Sequence, residues 1–430
     1  MSKAKEIQKK KLNRRLYPIY KMISWDLLFY YSIIFLFLTQ VKNFSASQVL
    51  IGEAFFMASC LILQIPVGLL VDKFGKKNSL IFGNICMCIF ILLLLVTQNF
   101  THFLIAYFID AIGYVIKGLC ETNILYDSLP RGKKRGTLYA IIDGVGVSRY
   151  YIVDAVTSLI AGFTYVINPY IPIVLCLIAN VISLILSTRF NHTNNSGNKE
   201  KPTLAKKYFK ELKEAIVFSV KSKRIFCLLI FFGLISGLLY NMTTFRSGIL
   251  EHVQLPEQYF GLVLAISQIV AAICANAQNI IHKRFRNRTL SYIGITLTVS
   301  CIIIGILAIM KISLIQIVLI VSLFVIQGAI KSPYYVLIYR YLNNFTNKEI
   351  RPKLGTIRNT IYSISSIIIS LLGALLLNFT NAANTMLIVG VSSTIAIILI
   401  LNYMKDKVGL KPDQYEETDL KYSSFKSKKM

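Results

Sequence analysis

The 430-residue chain is 55% hydrophobic and only 16% charged, which is too apolar for a soluble protein of this length. Its 47 lysines and arginines against 20 acidic residues give a formal charge of +27. This charge lies in loops and tails and not on a folded soluble surface, so it does not indicate a nucleic-acid partner. The composition therefore predicts an integral membrane protein with no sizeable soluble domain.

Twelve apolar segments, each long enough to cross a bilayer, follow one another along the chain. They are Tyr17–Thr39, Gln48–Val71, Leu80–Gln98, His102–Leu125, Leu138–Val166, Tyr170–Thr188, Ile225–Ile249, Tyr259–Ile281, Leu290–Met310, Ser313–Tyr341, Leu354–Phe379 and Thr385–Met404. The pattern predicts an all-α membrane protein with twelve transmembrane helices in two pseudo-symmetric six-helix bundles. The predicted parts are a basic tail at 1–16, a first bundle at 17–188, a central loop at 189–224, a second bundle at 225–404 and a tail at 405–430.

Lysines and arginines concentrate in every second connection between these segments. They lie in the N-terminal tail, at Lys73, Lys76 and Lys77, at Arg131, Lys133, Lys134 and Arg135, between Arg189 and Arg224, at Lys283, Arg284, Arg286 and Arg288, and at Lys348, Arg351 and Lys353. The alternate connections hold little basic charge beyond Lys42 and Lys311. Since short cytoplasmic loops carry an excess of basic residues, we predict a multi-pass cell-membrane protein whose two termini and central segment are cytoplasmic.

The central connection, Asn191–Ser222, is the longest one. It opens with a polar stretch, and lysines then alternate with apolar residues such as Leu204, Tyr208 and Leu212. This pattern favours a basic amphipathic helix that lies on the anionic inner leaflet of the bilayer, and a solvated linker is the alternative. In both cases the two halves of the chain are expected to be independent bundles.

Nine charged residues inside the apolar segments are candidates for a functional site, because an unpaired charge is expensive there. They are Asp26 in the first segment, Asp110, Lys117 and Glu121 in the fourth, Asp143, Arg149 and Asp154 in the fifth, Arg246 in the seventh and Lys331 in the tenth. The helical rise places several of them about 13–18 Å from the predicted cytoplasmic ends, near the midplane. As a set they predict a polar path for substrate and protons, although each of them alone could simply fasten two helices together.

The spacing on the fourth segment puts its three charges on nearly one helix face. Lys117 and Glu121 are four residues apart, and Asp110 comes seven residues before Lys117. Arg149 on the fifth segment lies at a similar depth to Lys117. We expect both cations to face one central cavity and to share its acids, namely Asp26, Glu121 and Asp143.

A sequence signature follows the second segment. Residues 68–77 read Gly68-Leu69-Leu70-Val71-Asp72-Lys73-Phe74-Gly75-Lys76-Lys77 and closely resemble the signature G-x-L-a-D-r-x-G-r-K of the major facilitator superfamily. Glycines permit a tight turn, and an aspartate can accept hydrogen bonds from the N-terminal amides of a helix. The resemblance implies that Gly68, Asp72, Gly75 and Lys76 steady the outward-facing state of a transporter. The stretches 44–48, 64–68 and 125–129 also look like a bacterial branch of that superfamily.

Two departures from the drug/proton antiporters of this superfamily bear on mechanism. Those proteins have an arginine in the fourth span, but here Asp110 stands near its expected place. They also have a glycine-proline signature in the fifth span, where this chain has only Gly144-Val145-Gly146. Proton-driven drug export is therefore not established by the resemblance.

Secondary active transport of a small organic solute by alternating access is the leading interpretation, with proton-coupled export favoured. Uptake of a metabolite is the alternative within transport, and a receptor or scaffold with a transporter fold is another. The motifs of zinc hydrolases, P-loop NTPases and serine hydrolases do not occur in the sequence, so no enzyme, cofactor or metal site is expected. The expected partners of the monomer are the substrate, a proton or other coupling ion, and the lipid bilayer.

Overall fold

The computed structural model describes residues 3–130, 132, 135–192, 213, 216–217, 219–220, 223–285, 288–344 and 351–405. Within these residues the chain forms α-helices and one short π-helix. In chain order they are α1 (Lys3–Ser24), α2 (Ile34–Leu36), the π-helix (Phe37–Val41), α3 (Ala46–Phe74), α4 (Lys76–Val96), α5 (Phe100–Ser128), α6 (Arg135–Ile167), α7 (Tyr170–Thr188), α8 (Lys223–His252), α9 (Gln258–Phe285), α10 (Arg288–Ile309), α11 (Leu314–Asn344), α12 (Arg351–Phe379) and α13 (Ala382–Met404).

Ten of these helices are long and apolar enough to cross a membrane. The prediction of an all-α membrane protein is confirmed, and most predicted segments lie within a few residues of one helix. The predicted eighth segment, Tyr259–Ile281, lies inside α9. The apolar part of α9, Gln258–Cys274, is shorter than the ten spans. The predicted first segment differs more.

The first span is not the continuous helix that its apolar pattern predicts. α1 ends at Ser24, residues 25–33 form turns, and only then do α2 and the π-helix follow. Asp26 accepts a hydrogen bond from the backbone N–H of Leu27 at 3.0 Å. Phe29 has a φ of 63°, a conformation that a non-glycine residue rarely adopts. A short acidic side chain that binds nearby backbone N–H groups competes with the helix, so the chain turns here.

The chain divides into two compact units. The first unit comprises Met1–Ala205 with Pro256–Ala265, and the second comprises Lys206–Leu255 with Ile266–Met430. In the first unit α1 packs against α6, and α5 packs against α3 and α4. In the second unit α10 packs against α13, and α8 packs against α12. Most of the amphipathic helix predicted in the second part of Asn191–Ser222 and the tail beyond Lys405 lie outside the described residues. The described residues of that part, 213, 216–217 and 219–220, are helical.

Glycines allow two close helix crossings, one in each unit. In the first unit a Cβ atom on Gly113 of α5 would lie 2.9 Å from the carbonyl oxygen of Gly83 on α4. In the second unit a Cβ atom on Gly390 of α13 would lie 2.7 Å from the backbone nitrogen of Ile302 on α10. Small residues let membrane helices approach closely, and dispersion contacts between their backbones then hold the pair. Both units therefore use the same packing device.

Candidate functional site

A network of charged and polar side chains fastens the end of α1 to α5. Lys21 Nζ lies 3.0 Å from Glu121 Oε2, and Ser24 Oγ donates to Glu121 Oε1 at 3.3 Å. Lys117 Nζ donates to the carbonyl oxygen of Ser24 at 2.7 Å. Only 5% of Glu121 and 6% of Lys117 is exposed. These four residues, Lys21, Ser24, Lys117 and Glu121, are called the α1–α5 cluster below.

The α1–α5 cluster satisfies groups that a broken helix would otherwise leave unpaired. The last carbonyl groups of a helix have no partner within the helix, and that end carries partial negative charge. Lys117 provides a cation to the carbonyl of Ser24, where α1 ends. A buried ion pair is stable only when its remaining hydrogen-bonding groups are also satisfied. The two bonds of Glu121, from Lys21 and Ser24, meet that requirement.

The sequence analysis did not identify Lys21 as a site residue. Lys21 lies inside the predicted first segment but near its basic end, where lysines are ordinary. Gly146 of α6 makes room for it, since a Cβ atom on Gly146 would lie 2.8 Å from Lys21 Cβ. One signal in the sequence was available for Lys21. It lies inside an apolar segment, one helical turn after Tyr17 and one turn before Trp25.

Aromatic rings border the α1–α5 cluster where α1 breaks. Trp25, the single tryptophan of the chain, stacks on Tyr150 of α6 with ring centroids 5.9 Å apart. Lys21 Nζ lies 4.6 Å from the centre of the Trp25 ring, within the range of a cation–π contact. The indole remains 37% exposed within this structure. It can therefore contact both the cluster and a bound molecule.

Three predicted acids lie around the same break. Asp143 of α6 accepts a hydrogen bond from the Tyr17 hydroxyl at 2.7 Å. Asp26 accepts a hydrogen bond from the Tyr31 hydroxyl, also at 2.7 Å. Asp154 of α6 is buried and interacts electrostatically with Tyr150. Tyrosine hydroxyls thus partner the acids on this side of the first unit.

Asp110 is the most isolated of the predicted acids. It lies on α5, is 7% exposed, and its Oδ1 atom has no hydrogen-bond partner. Asp26 and Lys117 interact with it electrostatically. Burial of a carboxylate oxygen without a donor is unfavourable, so this position is unusual for an acid with only a structural role.

The remaining predicted cations lie elsewhere. Arg149 of α6 is exposed and has no hydrogen bond or ion pair with another described residue. Arg246 of α8 is half-buried, and Lys331 of α11 is exposed. Both belong to the second unit. The structure therefore brings Lys117 into the cluster but does not bring Arg149 there.

The signature residues lie in the last turns of α3, in the turn at Gly75 and at the start of α4. Gly75 has a φ of 83° and its N–H donates to the carbonyl of Val71 at 2.9 Å, so a glycine suits this turn. Gly68 is half-buried and Asp72 is exposed. Lys76 Nζ lies 2.5 Å from Oδ2 of the buried Asp127, at the end of α5. The signature thus ties the start of α4 to the end of α5.

Comparison with known proteins identifies the family of nearly the whole chain. The family model described as Major Facilitator Superfamily matches residues 22–324 and 284–429. The solved structure of the nucleoside transporter NupG is 12% identical, with a TM-score of 0.72, and the alignment covers 92% of this chain and 99% of that one. A POT family transporter in complex with 5-aminolevulinic acid has a TM-score of 0.65 at 14% identity, with 93% and 96% covered.

A third similar structure is a D-xylose-proton symporter, with a TM-score of 0.66, 13% identity, and 95% and 99% of the two chains covered. At such identities the likeness concerns the fold alone. No curated protein matches the sequence at a significant level.

Proposed function

The chain belongs to the major facilitator superfamily, and from that premise we propose that it is a secondary active transporter which exports a small organic solute in exchange for protons. The observation that carries the proposal is the buried α1–α5 cluster at the break in the first span. Charged groups inside a membrane bundle are expensive and mark substrate or proton pathways. Broken helices form the binding sites of many transporters, close to the midplane.

The residues at the break suit the capture of a solute with both polar and apolar parts. The exposed indole of Trp25 offers a flat apolar surface, on which a ring or a hydrocarbon can pack. Lys21 and Glu121 lie beside it and offer a donor and an acceptor. Nucleosides and D-xylose, for which two structural neighbours are named, combine these features, so they are the first compounds to test.

Alternating access requires contacts that exist in one state and not in the other. The side-chain bonds from α1 to its neighbours are of this kind, since Lys21 pairs with Glu121 on α5 and Tyr17 bonds with Asp143 on α6. A proton that binds or leaves an acid beside these bonds changes the charges that hold them. Solute and proton then exchange through the same cluster.

A binding measurement that uses Trp25 tests the site directly. Trp25 is the single tryptophan of the chain, so its fluorescence reports only on the break. We expect a transported solute to change this fluorescence. The affinity that is measured from this change should be at least tenfold lower in Lys21→Met. Lys311→Met is the matched control, because Lys311 is exposed in the turn before α11. Equal binding by both variants would contradict a site at the cluster.

Flux through purified protein in liposomes then tests transport and its direction. The solute is placed on one side of the membrane, and the solution on the other side is made acidic. Export in exchange for protons predicts that this pH gradient drives the solute toward the acidic side. A receptor or scaffold predicts binding at Trp25 without flux for every solute bound.

Uptake of an anionic metabolite is the second candidate, and Arg149 favours it. An exposed guanidinium at membrane depth needs an anion or water, and Arg149 has no acid partner among the described residues. This candidate predicts that Arg149→Gln abolishes transport of an anionic solute, and that solute moves together with protons down the pH gradient. Full transport by Arg149→Gln would remove this candidate.

We also propose the topology, with both termini and the central segment cytoplasmic and next to the anionic inner leaflet, and a single chain as the functional unit. Single cysteines introduced at Gly197 or Ser424 should react with an impermeant reagent only from the cytoplasmic side. The background is low, because seven of the eight native cysteines are buried and only Cys274 is partly exposed. Labelling from the outside would contradict this topology.

A further inference from the structure

The surroundings of Asp110 favour a neutral carboxyl group in this conformation. An ionised carboxylate accepts hydrogen bonds at both of its oxygens, whereas a protonated carboxyl group needs fewer acceptor contacts. Oδ1 of Asp110 is buried and accepts none. Since an unpaired buried charge is far more costly than an unpaired neutral group, the geometry favours the protonated form.

The groups that face Asp110 give little compensation for a negative charge. They are Asp26, Tyr30 and Tyr31 of the first span, Cys60 of α3, Tyr107 and Lys117 of α5, and Cys176 of α7. Phenols and thiols are neutral, and Asp26 would repel a second carboxylate. Lys117 is the one cation in this set, and its ammonium group already bonds with the carbonyl of Ser24.

The set of neighbours fits a proton better than a hard metal ion such as Ca²⁺ or Mg²⁺. Hard cations such as Ca²⁺ need about six or more oxygen ligands, among them carboxylates and carbonyl groups. The thiols of Cys60 and Cys176, which interact electrostatically with Asp110, are poor ligands for such cations. A proton needs only the carboxylate itself.

We infer that Asp110 takes up and releases the coupling proton, and that Lys117 transmits the resulting change of charge to the end of α1. This inference rests on the proposed function, since it names the proton site of the same transporter. On release, the O–H bond of Asp110 breaks, the electron pair stays on the carboxylate, and the proton passes to water beside the half-buried Asp26. On uptake, the same steps run in reverse.

Lys117 is placed to couple this event to the break in the first span. It lies seven residues after Asp110 on the same face of α5, and it holds the carbonyl of Ser24, where α1 ends. While Asp110 is neutral, it adds no attraction of its own for the ammonium group, and Lys117 keeps its bond to the carbonyl of Ser24. Once Asp110 is ionised, Lys117 is drawn toward it, so its hold on α1 weakens. Lys117 is therefore a positioning residue.

A labelling experiment on the wild-type protein tests the proton site without a substrate. Dicyclohexylcarbodiimide adds to protonated carboxyl groups in apolar surroundings, and peptide mapping by mass spectrometry locates the adduct. We expect labelling at Asp110 that falls as the pH is raised. Glu53, a half-buried acid of α3, is the competing site. Labelling at Glu53, Glu121 or Asp26 without any at Asp110 would overturn the inference.

The pH dependence of Trp25 fluorescence tests the coupling. We expect a pH-dependent change in the wild-type protein, its loss in Asp110→Asn, and its retention in Glu53→Gln. Lys117→Met should also lose the change, while Asp110 is still labelled by the carbodiimide. A full pH response in Asp110→Asn would exclude Asp110, and one in Lys117→Met would exclude the coupling.

The labelling experiment and the fluorescence experiment are independent of each other. If Asp110→Asn does not fold, labelling of the wild-type protein still decides the proton site. Neither measurement needs a solute, so their failure is distinct from a failure of the proposed transport, which the flux experiment decides.

Discussion

The interiors of the two units differ in charge. The buried acidic and basic residues of the first unit are Asp110, Lys117, Glu121, Asp127 and Asp154. In the second unit the buried polar side chains of the described residues are all uncharged. There Ser370 Oγ donates to Asn241 Oδ1 at 2.6 Å, and Gln327 Nε2 donates to Ser300 Oγ at 2.8 Å.

This difference indicates a division of work between the units. Neutral hydrogen bonds between helices are satisfied at every pH, so they stabilise a bundle without responding to protons. Buried carboxylates change their charge when a proton binds, and their partners then change. The contrast supports a coupling site in the first unit and a mainly structural interior in the second unit.

The largest effect on stability is expected for Glu121→Ala. It leaves the half-buried Lys21 without its acid, which costs on the order of 3–5 kcal/mol. Thermal unfolding in detergent can be followed with a thiol-reactive dye, since seven of the eight cysteines are buried. The double variant Lys21→Met, Glu121→Leu should regain most of the loss but no transport. A single variant as stable as the wild type would show that the pair contributes nothing.

A smaller loss is expected for Asn241→Ala in the second unit. Asn241 is fully buried, accepts from Ser370 and donates to the carbonyl of Ser366 at 3.3 Å. Its removal leaves neutral groups unpaired and should cost about 1–3 kcal/mol. The same unfolding assay measures the loss. The pH response of Trp25 should stay as in the wild type, and a changed response would break the division between the units.

Equal effects in both units are expected for two helix caps. Asn99 accepts from the N–H of His102 at the start of α5, and Asn381 accepts from the N–H of Asn384 at the start of α13, each at 2.9 Å. Replacement of either asparagine by alanine should cost about 1 kcal/mol. Thermal unfolding of the two variants compares them directly. A clear inequality would mean that the units differ in more than buried charge.

The smallest change in stability is expected for Asp72→Asn. Asp72 is exposed, so the free energy of unfolding should stay within about 0.5 kcal/mol of the wild type. Turnover in liposomes should fall nonetheless, because the signature is expected to steady only the outward-facing state. Unchanged flux with normal expression would reduce the signature to a turn between α3 and α4.

The sequence alone determined most of the helices of this protein, since the length of a span follows from bilayer thickness and from local apolarity. The segment Tyr170–Thr188 was predicted with the bounds that α7 has. The signature at residues 68–77 also indicated the family, because its glycines and charges are adjacent in the chain. Both signals are local, and neither requires knowledge of which helices meet.

Only the tertiary structure decided which charges meet. Lys21 and Glu121 are 100 residues apart and meet only because α1 packs against α5, while Gly146 of α6 leaves room beside Lys21. The break at residues 25–33 is invisible to hydropathy, because it arises where Asp26 competes for backbone N–H groups inside an apolar segment. Arg149 and Lys117 have similar predicted depths but different surroundings, since depth along a helix does not determine the direction of a side chain.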